Sequence, residues 1–177
     1  MMITAEQFAQ TFEHVSQDQM ATLLQCWSNQ PKFTQYVKHQ MMPAIAGALG
    51  CSLELEYKRV DIVFRALPDP ESQTAADTEV VAAIEHENNC GGAESEVRKL
   101  RDLMAPLGVL ITYVSLPRRQ QLIAEFARIM VAGGVPSDGT SEGELLLIIG
   151  PYGMKPPTSL TWEYFMYGAG GFQQLTL

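Results

Sequence analysis

The first fifty residues have the hydrophobic spacing of amphipathic helices. Apolar side chains recur every three or four positions over residues 8–15 and 20–27, which is the period of one helical face. Pro31 begins a third segment of the same kind, which ends near Gly50. Because proline removes a backbone donor inside a helix, Pro43 predicts a kink in that segment. The pattern thus predicts an N-terminal region of short helices.

After residue 50 the pattern changes to that of strands and of strand–helix units. Residues 53–57 and 60–66 are predicted to be extended, either as one long bent strand or as a hairpin. Residues 80–84 are apolar at every position, and residues 109–114 are a second, largely apolar run; such runs predict strands that are covered on both faces. The segment between them, residues 93–103, has the spacing of an amphipathic helix. Because a right-handed crossover joins parallel neighbours, this part predicts a parallel pair of strands.

The remaining pattern predicts one more helix and two more strands. These elements are predicted at residues 117–130, 145–149 and 160–167. Polar stretches rich in turn-forming residues predict loops at 68–78 and 135–143. The order of elements predicts an α/β (or α+β) fold in which a mixed sheet has helices on both faces. We expect a single domain over residues 1–177, with helices in residues 1–50 and the sheet core in residues 51–177.

Composition and charge exclude some classes of function but do not identify one. Hydrophobic residues make up 46% of the 177 positions and charged residues 18%, as in ordinary soluble globular proteins. Twenty Asp and Glu residues against twelve Lys and Arg residues give a formal net charge of −8. This charge disfavours non-specific coating of nucleic acid, which needs an excess of cationic side chains. A local basic groove is still compatible with a net charge of −8.

The cysteines and the hydropathy predict a protein of a reducing, aqueous compartment. Cys26, Cys51 and Cys90 are odd in number, widely spaced and without a CxxC pair, so neither a disulfide framework nor a zinc ribbon is predicted. The first ten residues lack the basic and apolar regions of a signal peptide. No apolar run reaches the roughly 18–20 residues that cross a bilayer. We therefore expect a soluble cytoplasmic protein with no membrane partner.

Acidic side chains at the end of one buried strand are the strongest candidates for chemistry. The apolar run at residues 80–84 is followed directly by Glu85 and, two positions later, Glu87. Because side chains alternate along a strand, these carboxylates face the same side, with Cα atoms about 6.6 Å apart. Such carboxylates repel each other unless a cation or strong donors lie between them, and their oxygens suit Mg²⁺ or Mn²⁺. Asp61 lies in another apolar strand, so three carboxylates converge if the two strands are neighbours.

This arrangement resembles the motif of the PD-(D/E)XK nucleases, the restriction-endonuclease-like superfamily. The resemblance implies a core with the element order α-β-β-β-α-β, which fits residues 31–114. Asp61 and Glu85 match the two acidic positions that hold Mg²⁺ or Mn²⁺ in the family. Glu87 takes the place of the motif lysine, where the resemblance implies that it orients or activates the attacking water.

The resemblance also implies a function and a set of substrate contacts. It implies metal-dependent hydrolysis of phosphodiester bonds in DNA or RNA, with the three acids as catalytic residues. Phosphate contacts are expected from Asn88 at the strand end and from Arg98 or Lys99 on the following helix. Lys58 and Lys99 are the candidates to replace the missing motif lysine.

Other interpretations stay open on the sequence alone. Residues 85–89 could be the solvated end of a strand, and Asp61 could be ion-paired with Arg59 or Arg65. The chain could be a catalytically inactive restriction-endonuclease-like protein, an interaction or assembly module with a homodimer or partner surface. That surface would consist of aromatic residues of the last predicted strand, namely Trp162, Tyr164, Phe165 and Tyr167. A small-molecule binder unrelated to the nucleases is a further alternative.

Overall fold

One seven-stranded sheet organises the described residues. The computed structural model describes residues 2–68, 78–89, 91–103, 105–133, 143–153, 157–168 and 170–177. Most of the two predicted loops, together with Cys90, lies outside the described residues. The strands are β1 (Cys51–Tyr57), β2 (Val60–Ala66), β3 (Val80–Glu87), β4 (Leu107–Tyr113), β5 (Glu144–Gly150), β6 (Glu163–Gly168) and β7 (Gly171–Leu175). They lie side by side in chain order; β3, β4 and β5 are parallel, and the other neighbouring pairs are antiparallel.

Helices precede the sheet and connect its parallel strands. They are α1 (Ala5–Asp18), α2 (Met20–Cys26), α3 (Gln30–Tyr36), a π-helical turn (Val37–Met41), α4 (Met42–Ala48), α5 (Ala93–Leu103) and α6 (Leu116–Ala132). The Thr4 hydroxyl accepts a hydrogen bond from the Gln7 N–H, and this capping box begins α1. The π-helical turn comes immediately before α4, in whose first turn Pro43 lies. The helical region is thus interrupted at the place that Pro43 predicts.

The helices cover both faces of the sheet and create two hydrophobic cores. On one face the N-terminal helices pack residues such as Phe12 against the sheet, in the same core as Ile84 of β3. On the other face α5 and α6 pack residues such as Phe126, and Ala83 of β3 belongs to that core. Neighbouring β3 residues therefore serve different cores, which explains why the strand is apolar at successive positions. The predicted α/β fold, a mixed sheet with helices on both faces, is confirmed.

The first two strands form a hairpin rather than one long bent strand. Tyr57 pairs with Val60. Lys58 and Arg59 form the turn between them, with φ angles of +46° and +73°. Two consecutive residues with positive φ are typical of the tight turns that connect antiparallel strands. The hairpin places Asp61 near the beginning of β2.

β6 and β7 form a second hairpin, of which the sequence predicts only the first strand. Gly170 and Gly171 have φ angles of +88° and +113°, a conformation that glycine adopts without steric strain. The predicted exposed aromatic surface is wrong, because β6 lies between β5 and β7 and contributes to both cores. The four aromatic residues are only 4–8% exposed: Trp162, Tyr164, Phe165 and Tyr167.

None of the described helices is both long and apolar enough to span a bilayer. The two longest among them, α1 and α6, have 14 and 17 residues. Each packs one face against the sheet.

Candidate functional site

Asp61 and Glu85 meet where β2 begins and β3 ends. The antiparallel register pairs Ile62 with Ile84, so Asp61, which precedes Ile62, lies beside Glu85, which follows Ile84. The Asp61 carboxylate accepts a hydrogen bond from the backbone N–H of His86, at 3.2 Å. The two acidic positions that the sequence analysis singled out are therefore brought together.

Glu85 is a buried carboxyl among other charges. It is 2% exposed, and its Oε1 lies 3.4 Å from Nζ of Lys99. Burial, together with the negative charges of Asp61 and Glu96, raises the pKa of Glu85 to about 8, although the Lys99 ammonium acts in the opposite direction. Glu85 consequently carries a proton for most of the time at neutral pH.

Glu96 is a third carboxylate of the cluster, and it is not among the site residues predicted from the sequence. It lies in the first turn of α5, with its side chain 13% exposed, and it forms an ion pair with Lys99. Its charge acts directly on Glu85. The available signal was the spacing of Glu96 and Lys99, because residues three apart share a helix face. A glutamate in the first turn of a helix is already explained by the helix dipole. The position of Glu96 in the sequence therefore gives no sign that it also belongs to the site.

Lys99 is the cation beside Glu85 and Glu96. Burial alone would lower the pKa of Lys99, but hydrogen bonds and charges from Glu96 and Glu85 outweigh it and raise the pKa above its ordinary value. Lys99 therefore stays charged between two carboxyl groups. The other candidate, Lys58, is exposed in the β1–β2 turn above the Tyr57 ring.

Asp61 is ion-paired, although with a residue that the sequence did not indicate. Its Oδ1 lies 2.7 Å from Nζ of Lys38, in the π-helical turn. Arg65, one of the two predicted partners, instead pairs with Glu54 of β1 at 2.7 Å. The prediction that an arginine of the same strand neutralises Asp61 is wrong, because the cation comes from a different element.

Glu87 and Asn88 shape the end of β3 and do not join the cluster. Glu87 Oε1 accepts a hydrogen bond from the Asn89 N–H at 2.7 Å. Its other oxygen lies against Gly92, where a β-carbon would come within 2.8 Å of it. The Asn88 amide donates to the Thr34 hydroxyl at 2.5 Å and ties the strand end to α3. The structure thus uses Glu87 to fold the turn before α5.

The other predicted contact residues lie apart from the carboxylates. Arg98 is exposed on α5. His86 faces the opposite side of the sheet, where its Nε2 is hydrogen-bonded to the Tyr113 hydroxyl at 2.9 Å. Burial lowers the pKa of His86 to about 4, so the ring is neutral at pH 7.

The cluster has the donor chemistry of a metal site without its geometry. In the part of the chain that is described, no group of three or more His, Cys, Asp and Glu side chains is arranged to hold an ion. Oxygen donors are nevertheless concentrated there. Thr112 pairs with Glu87 across β3 and β4, and its buried hydroxyl finds no hydrogen-bond partner among the described residues. Because paired residues face the same side, this hydroxyl lies on the carboxylate face.

The raised pKa of Glu85 predicts a pH-dependent stability. Its pKa changes from 4.5 in the unfolded chain to about 8 in the folded protein, so the folded state binds the proton more tightly. The stabilisation is present below about pH 4.5 and is lost as the pH rises through about 8. Glu85→Gln mimics the protonated form, so its stability should not fall as the pH rises through about 8.

The quantity to compare is the free energy of unfolding of Glu85→Gln minus that of the wild type. We expect this difference to be larger at pH 9 than at pH 5 by on the order of 2 kcal/mol. Urea denaturation at both pH values measures this difference. The same difference at both pH values would contradict a protonated Glu85.

Fold and cluster together define a mixed α/β protein in which a buried glutamate and partly buried charged groups lie at the carboxyl end of the parallel strands. No protein-family model matches the sequence, and no curated protein matches it significantly. The order α4-β1-β2-β3-α5-β4 is the order that the resemblance implies, while membership of the superfamily stays a prediction. A fold of this kind does not by itself determine a function, which depends on the residues of the site.

Proposed function

We propose that the protein is a divalent-metal-dependent nuclease that hydrolyses phosphodiester bonds. The observation that carries the proposal is the convergence of Asp61, Glu85, Glu96 and Lys99 at the end of β3. Burying several carboxyl groups together is unfavourable for folding. Strongly perturbed carboxyl groups beside a specific charged partner are concentrated at functional sites.

The donor set fits Mg²⁺ or Mn²⁺. Asp61 and Glu85 would hold the ion as the resemblance implies, and Glu96 offers a third carboxylate in place of Glu87. The Thr112 hydroxyl is a further oxygen on the same face. When bound, such an ion lowers the pKa of a coordinated water and stabilises charge on a phosphate. Carboxylate and hydroxyl oxygens are the ligands that these hard cations prefer.

We assign to Lys99 the role that the resemblance gives to the motif lysine. Glu87, which occupies the motif position, accepts a hydrogen bond from the Asn89 N–H and borders Gly92. Lys99 instead presents a charged ammonium beside Glu85. In this role it stabilises the negative charge that develops on the phosphate and helps to orient the attacking water.

The helices on the sheet face opposite α5 suit a nucleic-acid strand, although the chain as a whole is acidic. No Asp or Glu occurs between Asp18 and Glu54, the stretch that forms α2, α3, the π-helical turn and α4. It contains Lys32, Lys38 and His39. Because distant exposed charges are screened beyond about 10 Å at ordinary salt, the local lack of acids decides whether a strand can approach. We therefore propose DNA or RNA as the substrate.

We also propose that the protein works in a reducing compartment, such as the cytoplasm. Cys26 and Cys51 are free thiols within the described ranges. Burial raises the pKa of the Cys51 thiol, which makes it unreactive. Free thiols persist where the surroundings keep them reduced.

A catalytically inactive interaction or assembly module is the second candidate. The ion pairs of Lys38 with Asp61 and of Lys99 with Glu85 and Glu96 favour it. Lys38 and Lys99 neutralise the Asp61 and Glu96 carboxylates without a metal, and Glu85 is protonated at neutral pH, as in a structural network. The two functions differ in whether the cluster binds a divalent cation.

Calorimetric titration of Mn²⁺ tests the proposal. We expect specific binding by the wild-type protein and at least about a tenfold loss of affinity in Glu85→Gln. Since glutamine mimics the protonated Glu85, the variant should fold normally. Glu54→Gln is the matched control, because Glu54 is exposed on β1 and paired with Arg65; it should bind Mn²⁺ like the wild type.

Cleavage assays complete the test. Wild-type protein with Mn²⁺ or Mg²⁺ should cleave at least one of single- or double-stranded DNA and RNA, and Glu85→Gln should not. Equal Mn²⁺ binding by both proteins would contradict the assignment of Glu85. Absence of metal binding and of cleavage, with nucleic acid present, would favour the inactive module.

A further inference from the structure

A cavity of about 600 Å³ opens at the carboxyl ends of the parallel strands, as the carboxylate cluster does. It lies on the opposite face of the sheet, under the N-terminal helices. Asn88 lines it and directly follows Glu87, at the carboxyl end of β3. Tyr113 ends β4, and Tyr152 follows β5 closely. In sheets with parallel strands, ligands bind in the crevice outside the carboxyl ends of those strands. The volume is in the range of small-ligand pockets.

The floor of the cavity is a rigid aromatic cluster. Trp27, Phe33 and Tyr113 contact one another edge to face, with ring centroids 5.3–5.9 Å apart. The Trp27 indole N–H donates to the Gly153 carbonyl at 2.9 Å, which fixes the ring beside the chain that follows β5. These rings supply a flat apolar surface that is already ordered.

The rim combines an exposed ring with neutral polar groups. Tyr152 is 63% exposed although it is a large aromatic residue. Asn29 and Asn88 bring amide side chains to the wall, and no charged residue lines the cavity among those described. Amide side chains recognise the hydrogen-bonding edges of bases, and aromatic rings stack on their faces. The lining therefore suits a neutral planar heterocycle with polar edges.

A buried polar atom lies behind this floor. The His86 ring contacts Phe33 and Tyr113, with centroids 6.1 and 5.6 Å away. Its Nε2 is satisfied by the Tyr113 hydroxyl, while its Nδ1 is buried and has no partner in the residues that the structure describes. His86 is not among the described residues that line the cavity, so its ring supports the floor from behind and makes no contact with a ligand.

We propose that this cavity holds one unpaired nucleobase of the substrate strand. The strand would cross the edge of the sheet at Asn88, with a phosphate at the carboxylate cluster on one face and a base in the cavity on the other. Base pairing would prevent this placement, so the preferred substrate is single-stranded or carries an extruded nucleotide. The identity of the ligand rests on the nuclease proposal; the pocket itself does not need the metal.

Titrating metal-free protein with 2′-deoxynucleosides and with a short single-stranded DNA tests the inference. Binding is followed by calorimetry and by the fluorescence of Trp27 on the cavity floor. We expect Tyr152→Ala to weaken binding roughly tenfold through the loss of stacking, and Tyr152→Phe, which keeps the ring, to bind like the wild type. Because Tyr152 is exposed, neither change should affect folding.

The outcomes separate this inference from the nuclease proposal. Nucleoside binding that persists in Glu85→Gln and is lost in Tyr152→Ala supports the pocket even where the metal test fails. Metal-dependent cleavage that Tyr152→Ala leaves unchanged, without nucleoside binding, overturns the pocket and leaves the nuclease proposal intact. Equally tight binding of benzimidazole, which lacks the polar edge groups of the bases, would also overturn it.

Discussion

Replacing Lys99 with methionine is expected to reduce metal-dependent cleavage by roughly 10²–10³-fold. The ammonium of Lys99 lies beside Glu85 and is paired with Glu96, so it is the cation placed to stabilise charge on a phosphate at this cluster. Methionine keeps most of the apolar stem and removes only the charge. Single-turnover cleavage with saturating Mn²⁺ measures the effect on the chemical step without interference from product release.

Lys58→Met is the matched control for this substitution. Lys58 is the other lysine that the sequence offered in place of the motif residue, and it is exposed in the β1–β2 turn. We expect its replacement to change the rate by less than about twofold, as for a surface charge away from the reaction. A large loss in Lys58→Met together with a normal rate in Lys99→Met would reverse the assignment.

Lys99→Arg adds a readout that a merely structural lysine would not give. Arginine preserves the charge, but its planar fork differs in size and direction from an ammonium. If Lys99 only neutralises Glu85 and Glu96, arginine should restore both stability and cleavage. If Lys99 acts on the substrate, stability should recover while the rate stays well below that of the wild type.

The sequence predicted the elements whose hydrophobic pattern is continuous or strictly periodic. The apolar run located β3 and the helical spacing gave the bounds of α5, because burial on two faces and on one helical stripe leaves clear patterns. β7 was missed because Gly171–Leu175 has weak alternation. It is held in the sheet by pairing with β6 rather than by its own pattern.

The choice of glutamate at the site could not be made from the sequence. Alternation placed Glu85 and Glu87 on one face, and the structure agrees with that placement. The turn after β3 then engages Glu87 through the Asn89 N–H, whereas the packing of α5 brings Glu96 to Glu85. Both effects depend on tertiary contacts between elements, which strand periodicity does not encode. The same holds for Lys38, which reaches Asp61 from the π-helical turn.

The two cores predict how the protein unfolds. Phe126 is fully buried between α6 and one face of the sheet, and Phe12 is 1% exposed on the other face, with its ring 5.0 Å from Trp162. Replacing either with alanine removes a large buried ring and should lower the free energy of unfolding by about 3–5 kcal/mol. Because both cores share the strands of one sheet, we expect each variant to shift the same single transition, as a single domain over residues 1–177 requires.

Urea denaturation followed by far-UV circular dichroism and by tryptophan fluorescence measures both variants. Val131→Ala is the control on α6, since Val131 is 60% exposed and its truncation should change stability by less than about 0.5 kcal/mol. Coincident curves from the two probes would support one cooperative unit. If Phe12→Ala lowered only an early transition and left the later one in place, the N-terminal helices would unfold separately from the sheet. The single-domain prediction would then fail, even though both cores are present in the folded protein.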